Sequence, residues 1–343
     1  MYPITNISHS FNVADDWGLD SQALYPIKII CVPALCTQAG HFAHQQVNFS
    51  DYDLVVISDI EYFRQREIHQ WIKEAGIKNY VLALGGLHPE TDLLPNELYR
   101  PWWSFNLLRF NQQQHSNQEP CFDFDCLLGA RRPHRDFAML AMQQTGLIDT
   151  SIVTYRDFFQ GAIVNHQNQE FADMFPDQTL NFPYVSPNLN PGWEVNSNLT
   201  RSISPFVPWN IYNRCRYSIV CETQGTGDAF FLSEKTAKAI FAGRVFLMFS
   251  NTNFLANLRK LGFETFGSVI DESYDSNPLD FERFTSVMEQ MEQLSKQDYR
   301  QVMTKLQPVI EHNRNRLLDL QKEKRCEMQR LIDHKLNSVR ILR

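Results

Sequence analysis

The stretch YSIVCETQGTGDAFFLSEKTAKAIFAGRVFLMFS, Tyr217 to Ser250, decides the fold of this 343-residue chain. It opens with an apolar, β-branched run (217–223), passes through a polar loop carrying Gly225 and Gly227, starts a helix at 234 and closes with a second apolar run (244–250). Strand, loop, helix and strand in that order make one βαβ unit, and strands that are apolar without alternation belong to a parallel sheet covered on both faces. Ser233 is the natural N-cap of the helix over 234–242, because its hydroxyl satisfies one of the orphan N–H groups of the first turn.

Outward from this unit the same alternation continues. Upstream, "IKIICVP" (27–33), "DLVVISD" (53–59) and "NYVLALG" (79–85) are strand-length apolar runs. Between the last two, "RQREIHQWIKEAGI" sets Ile68, Trp71, Ile72 and Ala75 on one helical stripe, with Gly76 at the helix end. A second series follows: strand "DCLLGA" (125–130), helix "HRDFAMLAMQQTG" (134–146), strand "SIVTY" (151–155), the Tyr217–Ser250 unit, and helix "NFLANLRKLG" (253–262). The expected fold is α/β, with two Rossmann-like doubly wound domains facing a cleft and a long helical tail. The expected boundaries are 1–118, 119–283 and 284–343. The tail carries apolar residues at helical spacing and ends in the basic segment "KEKRCEMQRLIDHKLNSVRILR", which reads as a packing helix with a solvated charged face. The Asn- and Pro-rich stretch over 160–210 reads as a functional insertion.

Composition narrows the function. Hydrophobic residues make up 43% of the chain, yet its longest apolar runs are far shorter than the roughly 20 residues of a membrane span. The N-terminus has neither a basic nor an apolar signal region, and seven cysteines are an odd number, so a cytoplasmic protein with reduced thiols is expected. The spacings Cys31/Cys36 and Cys121/Cys126 are not CxxC, and no histidine cluster accompanies them, so no zinc site is expected. A formal charge of −7 disfavours a protein that coats nucleic acid, although a local basic face is compatible with it.

The chemistry centres on the helix start. A helix N-terminus reached from a strand lies at the carboxyl edge of the sheet, where α/β folds bind ligands, and its free N–H groups attract phosphate. Lys235 adds a full positive charge, while the Glu234 carboxylate suits a vicinal diol of the kind found on ribose. The two together suggest a bound nucleotide; a first-turn glutamate beside a solvated lysine is the plainer reading of the same pair.

Glu222, Asp228, Phe231, Ser233, Glu234, Lys235, Ala242 and Gly243 stand in an order that resembles the donor-binding signature of the α1,3-fucosyltransferase family of glycosyltransferases. Thr223-Gln224 and Arg244-Val245-Phe246 depart from the family pattern, which leaves the sugar open. Upstream, "CLLGARRPHRDF" resembles the family's strand, loop and helix-opening arginine, and so implies Arg135, with Arg131 and Arg132, as donors to a diphosphate. The resemblance implies a GT-B type glycosyltransferase that moves a sugar from a nucleoside diphosphate to a hydroxyl acceptor. It also implies a base on the N-terminal domain, for which the candidates are Asp59, Glu61, His88 and Glu90 at strand ends. Lys235 and the arginines would stabilise the leaving group without a metal, and no cofactor beyond the nucleotide-sugar is expected. The acceptor is a saccharide or another hydroxyl compound. "DFD", Asp123 to Asp125, has the form of a metal-binding Asp-x-Asp but precedes its expected strand instead of following one. Two alternatives stay open: a nucleotide-binding regulator without turnover, and a glucosyltransferase-like enzyme acting on modified DNA bases. The acidic cluster Asp271, Glu272 and Asp275 reads as a capped turn.

Overall fold

A computed structural model of the protein describes residues 4–6, 29–34, 47–59, 64–101, 119–156, 175–189 and 207–341. The chain divides into two compact units, the first Met1–Phe105 with Ala229–Leu232 and Leu318–Arg343, the second Asn106–Asp228 with Ser233–Leu317. Glu61, Cys36 and most of the 160–210 stretch lie outside the described residues.

In the first unit the strands β1 (Ile4–Asn6), β2 (Ile29–Ala34), β3 (Leu54–Asp59), β4 (Tyr80–Leu84) and β5 (Glu97–Tyr99) form one parallel sheet in chain order. Its central strands β2, β3 and β4 carry apolar residues on both faces, because both faces are covered. Ile30, Val32, Val55, Ile57, Leu82 and Leu84 face helix α1 (Gln65–Glu74), which supplies Ile68 and Ile72 as its stripe predicts. Ile29, Cys31, Leu54, Val56, Val81 and Leu98 point the other way and meet Met328, Ile332 and Leu336, the end of a long helix over Tyr299–Ile341. The basic tail therefore packs, with Met328, Ile332 and Leu336 in the core. Burial pushes the Cys31 thiol up to about 12, so it behaves as an inert hydrophobe. Phe230, in the segment that belongs to this unit, exchanges two backbone hydrogen bonds with Leu87.

The second unit holds β6 (Phe122–Leu128), α2 (Pro133–Gln144), β7 (Ile152–Tyr155), β8 (Tyr184–Val185), α3 (Trp209–Tyr212), β9 (Cys215–Cys221), α4 (Glu234–Phe241), β10 (Phe246–Phe249), α5 (Phe254–Lys260) and α6 (Asp280–Ser295). The long helix, α7, begins here at Tyr299. The strand order is β10-β9-β6-β7-β8, parallel except for β8. From β6 the chain builds outward to β7 and then returns to the other side of β6 to lay down β9. The winding direction reverses between β6 and β9, which makes their carboxyl ends the topological switch point. Behind this edge, the rings of Phe137, Phe249 and Phe284 sit 5.6 to 6.0 Å apart, fixing α2 and α6 on β10. Among the described residues no helix is long and apolar enough to cross a membrane.

The Asp-x-Asp motif needs correction. Strand β6 starts at Phe122, so Asp123 and Asp125 lie inside it, in an alternating Phe-Asp-Phe-Asp pattern. Asp123 pairs with Arg216 at 3.0 Å; Asp125 accepts from Ser218 Oγ at 2.7 Å and from Arg244 at 3.2 Å. Burial raises the Asp125 carboxyl to about 6, with Arg244 opposing. Both acids are cross-strand partners of basic or hydroxyl side chains and do not form a metal-binding pair.

Candidate nucleotide site at the switch point

The loop after β9 is drawn closed by its first residue. Glu222 is fully buried, and its carboxylate accepts the Thr223 N–H at 2.9 Å, the Ser233 N–H at 3.2 Å and the Thr236 hydroxyl at 2.5 Å. One side chain thus joins the end of β9 to the start of α4. Glu222 was expected to touch the donor; every one of these bonds instead holds the loop, and no part of the side chain reaches solvent. Ser233 caps α4 as expected, accepting the Lys235 N–H at 3.2 Å.

Three buried side chains pin the loop from beneath. Nε2 of His134 donates to the Glu222 carbonyl at 2.8 Å, since a carbonyl can only accept. Burial, with Arg135 next to it, holds this imidazole well below its ordinary pKa, so it is neutral. Arg135 donates to the carbonyls of Ala130 at 2.6 Å and Glu222 at 3.2 Å. Arg283 donates to the carbonyls of Gly225 at 3.3 Å, Ser250 at 2.9 Å and Asn277 at 2.7 Å, and also pairs with Asp280. Gly225 lies so close to His134 that a Cβ there would stand 2.0 Å from the ring. Neither His134 nor Arg283 was singled out from sequence. Gly225 was the legible signal, because a glycine in such a loop marks a close approach.

The arginine cluster divides. Arg131 forms an ion pair with Asp136 at 3.1 Å, and Asp136 is itself held by the Tyr155 hydroxyl at 2.6 Å. Arg135 is buried under the loop, and burial lowers its pKa. Both were expected on a diphosphate; both are committed to the protein. Arg132 is different: it stands at the N-cap of α2, half-buried, and its Nε has no hydrogen-bond partner.

At the start of α4, Lys235 Nζ donates to Glu234 Oε1 at 2.8 Å and to Thr223 Oγ1 at 3.1 Å, with about a quarter of the side chain exposed. Glu234 is buried; desolvation works to raise its pKa, but Lys235 and Lys238 outweigh this and lower it. Lys238, one turn on and also buried, is pulled down to about 8 by burial, with Glu234 opposing. The first turn of α4 is therefore a short charge row, Lys235, Glu234 and Lys238, in which one carboxylate serves two ammonium groups. With Arg132 and Arg135 nearby, cations outnumber carboxylates at the switch point, and two helix N-termini open onto it. Such a setting favours a multiply charged anion.

The base candidates stand at strand ends of the first unit. Asp59 is fully buried and accepts the Gly85 N–H at 3.1 Å, tying β3 to β4, which is a structural task. His88 follows β4, with its backbone N–H on Thr91 Oγ1 at 3.0 Å, and Glu90 pairs with Arg64. The acidic cluster is a capped turn: Asp275 accepts the Leu255 and Ala256 N–H groups at the start of α5, and Glu272 accepts from Thr265 and the Phe266 N–H.

No protein-family model matches the chain, and no curated protein matches it either. Among solved structures, it is similar to a point mutant of T4 phage BGT in complex with UDP-glucose, at 12% identity and a TM-score of 0.42, over 91% of this chain and 83% of that one. It is also similar to the DNA modifying enzyme β-glucosyltransferase, at 12% identity and 0.39, over 95% and 91%, and to T4 phage BGT with UDP and Mn2+, at 11% and 0.33, over 92% and 83%. Likeness at this level says nothing about the chemistry of this chain.

Proposed function

We propose that the chain is a glycosyltransferase that uses a nucleoside-diphosphate sugar, with the diphosphate held in the crevice outside β6 and β9. The observation that carries this reading is the convergence of Lys235, Arg132 and the N-termini of α2 and α4 on the one switch point of the second unit. The fucosyltransferase-type order of Ser233, Glu234 and Lys235 supports sugar transfer as the use made of that anion site.

When the donor binds, Lys235 Nζ turns from Glu234 to the diphosphate, and Glu234 is released to accept from the ribose diol. Departure of the nucleoside diphosphate places negative charge where Lys235 and Arg132 already stand, so this charge is stabilised by preorganised cations and needs no metal. Glu222, His134, Arg135 and Arg283 hold the loop in place. The acceptor hydroxyl gives its proton to a base on the first unit, for which His88 and Glu61 are the candidates.

The test is calorimetric titration with UDP, GDP, ADP and CDP, followed by transfer assays with the matching sugars. Acceptors offered are simple saccharides and duplex DNA carrying hydroxyl-bearing bases. Binding of one nucleoside diphosphate that weakens in Lys235→Ala supports the site, and transfer supports the reaction. Binding with neither transfer nor donor hydrolysis marks a regulator, and no binding removes the proposal.

A further inference from the structure

The transfer reaction described above makes no use of the buried ammonium group of α4. Lys238 stands four positions after Glu234 on the same face of the helix, one turn or about 5.4 Å further from the crevice. Both side chains are buried, and the Glu234 carboxylate also holds Lys235 Nζ at 2.8 Å. One buried carboxylate therefore lies between two ammonium groups. Lys235 has about a quarter of its side chain in solvent and is hydrated there, whereas Lys238 has no such access.

The elements packed around this row bring little that could hold a second charge on it. Glu222, at the end of β9, is taken up by the Thr223 and Ser233 N–H groups and the Thr236 hydroxyl. From α2 come the neutral His134 ring and the Arg132 and Arg135 cations. Tyr212 of α3 is pushed up by burial and stays uncharged, and Arg244, past the helix end, is paired with Asp125. Among the described residues Glu234 is the acid that favours the charged form of Lys238, while burial and Lys235 oppose it and bring the group to about 8.

Lys238 is thus charged at pH 7 and about half charged at pH 8 in the free protein. A diphosphate at the start of α4 changes both of its neighbours. Lys235 turns to the ligand, whose negative charge offsets the repulsion that Lys235 exerts on Lys238. Glu234 exchanges one ammonium for the neutral hydroxyls of the ribose and keeps Lys238 beside it. Each change favours the charged form of Lys238.

We propose that binding of a nucleoside diphosphate is coupled to uptake of a proton by Lys238, so that the affinity of the site falls as the solution becomes alkaline. This rests on the anion site proposed above, and it makes Lys238 a pH-sensing group that stands behind the ligand without touching it.

The probes are UDP, GDP, ADP and CDP, titrated into the full chain by calorimetry at pH 7, 8 and 9 in EPPS, bicine and Tris, buffers that differ in ionisation enthalpy. A phosphate group loses its last proton at about pH 6, so the ligand's own titration lies below this range. For the nucleotide that binds, the heat at pH 8 should vary with the buffer and report uptake of up to about half a proton, the share of Lys238 left uncharged there. Affinity should fall several-fold between pH 8 and 9, with about tenfold per pH unit as the limit for one proton. Lys238→Arg stays charged throughout, so it should take up no proton and keep its affinity level from pH 7 to 9. Lys238→Met removes the group, and both dependences should vanish there too. Melting curves establish that each variant is folded, and the arginine variant decides the matter if the methionine variant is not. Absence of binding by all four nucleotides at pH 7 removes the anion site and this inference with it. Binding without buffer-dependent heat at pH 8, or uptake that persists in Lys238→Arg, overturns the inference and leaves the site standing.

Discussion

Gly225→Ala is the sharpest perturbation of the loop that shapes the crevice. An alanine Cβ would stand 2.0, 2.2 and 2.5 Å from Cγ, Nδ1 and Cβ of His134, whereas carbon atoms rest at about 3.5–4.0 Å, so one partner must move by about 1.5 Å. His134 cannot swing aside freely: its Nε2 is bonded to the Glu222 carbonyl, and the Phe284 ring lies 6.5 Å away. Overpacking costs about 1–3 kcal/mol, and losing the histidine hydrogen bond adds about 1 kcal/mol, so the total is about 2–4 kcal/mol. For a unit of this size that lowers the melting temperature by about 4–16 °C. The assay is a double-mutant cycle with His134→Ala, read by calorimetric melting. Removing the ring gives the new methyl group space, so the double variant should be more stable than the sum of the single changes by about 0.5–3 kcal/mol. Gly227→Ala is the control: φ is +87° with open space around it, so any cost is backbone strain and must be indifferent to His134. Additive behaviour of Gly225→Ala and His134→Ala would refute the packing argument.

Lys235→Ala should melt like the parent and lose about 10- to 150-fold in nucleoside-diphosphate affinity, the worth of a hydrogen bond to a charged group; unchanged affinity in titration calorimetry removes its phosphate role. Glu234→Gln strips the counter-charge from Lys235 and Lys238. Because Lys238 sits at about 8 when folded and near 10.4 when unfolded, the unfolded chain holds the extra proton between these values and stability rises with pH across that window. The variant should therefore melt well below the parent at pH 7 and approach it near pH 10, and a gap that stays constant with pH would contradict the charge row. Transfer should persist in excess chelator, and activity that vanishes with EDTA and returns with manganese would contradict charge stabilisation by Lys235 and Arg132. Ile332→Ala should cost about 2–5 kcal/mol in urea melts, because the tail is core to the first unit; a neutral result would mean the helix end is merely laid on the surface.

Local chemistry was legible in the sequence wherever it depended on neighbours in the chain. The unalternating runs at 29–34, 54–59 and 80–84 are strands of a parallel sheet, Ser233 caps its helix, and Gly76 ends another with φ of +67°. What could not be read was the direction of long polar side chains, since their partners are remote in sequence. Arg135 and Glu222 lie 87 positions apart, Asp125 and Arg244 119 positions apart. A motif gives each residue a position but not a partner, which is why Glu222, Arg131 and Arg135 were expected on the ligand and are found bound to the protein. The return of Met328, Ile332 and Leu336 to the first sheet escaped for the same reason. The spacing of the tail's apolar residues implied a packing helix, but not which sheet its end would meet.

The division between pinning and reaching residues follows from the fold. The loop of twelve residues between β9 and α4 lies outside the sheet, so buried donors must satisfy carbonyls there, and Arg135, His134 and Arg283 each take one. Guanidinium groups suit this work because one planar fork serves several carbonyls at once. They bring charge with them, however, and a cation facing carbonyls instead of carboxylates is stabilised only in part. The switch point thus acquires positive potential as a by-product of holding its own loop, and Lys235 and Arg132 stand in that potential with access to solvent. An anion bound there relieves both the buried and the exposed cations. It should therefore raise the stability of the whole second unit beyond what its direct contacts with Lys235 alone would give. Lys235→Ala should for that reason reduce the thermal shift produced by a nucleoside diphosphate without abolishing it, because Arg132 and two helix N-termini remain at the crevice and the buried Arg135 still contributes to its field. Complete loss of the shift would place all the anion affinity on one ammonium group and refute the account of a shared field.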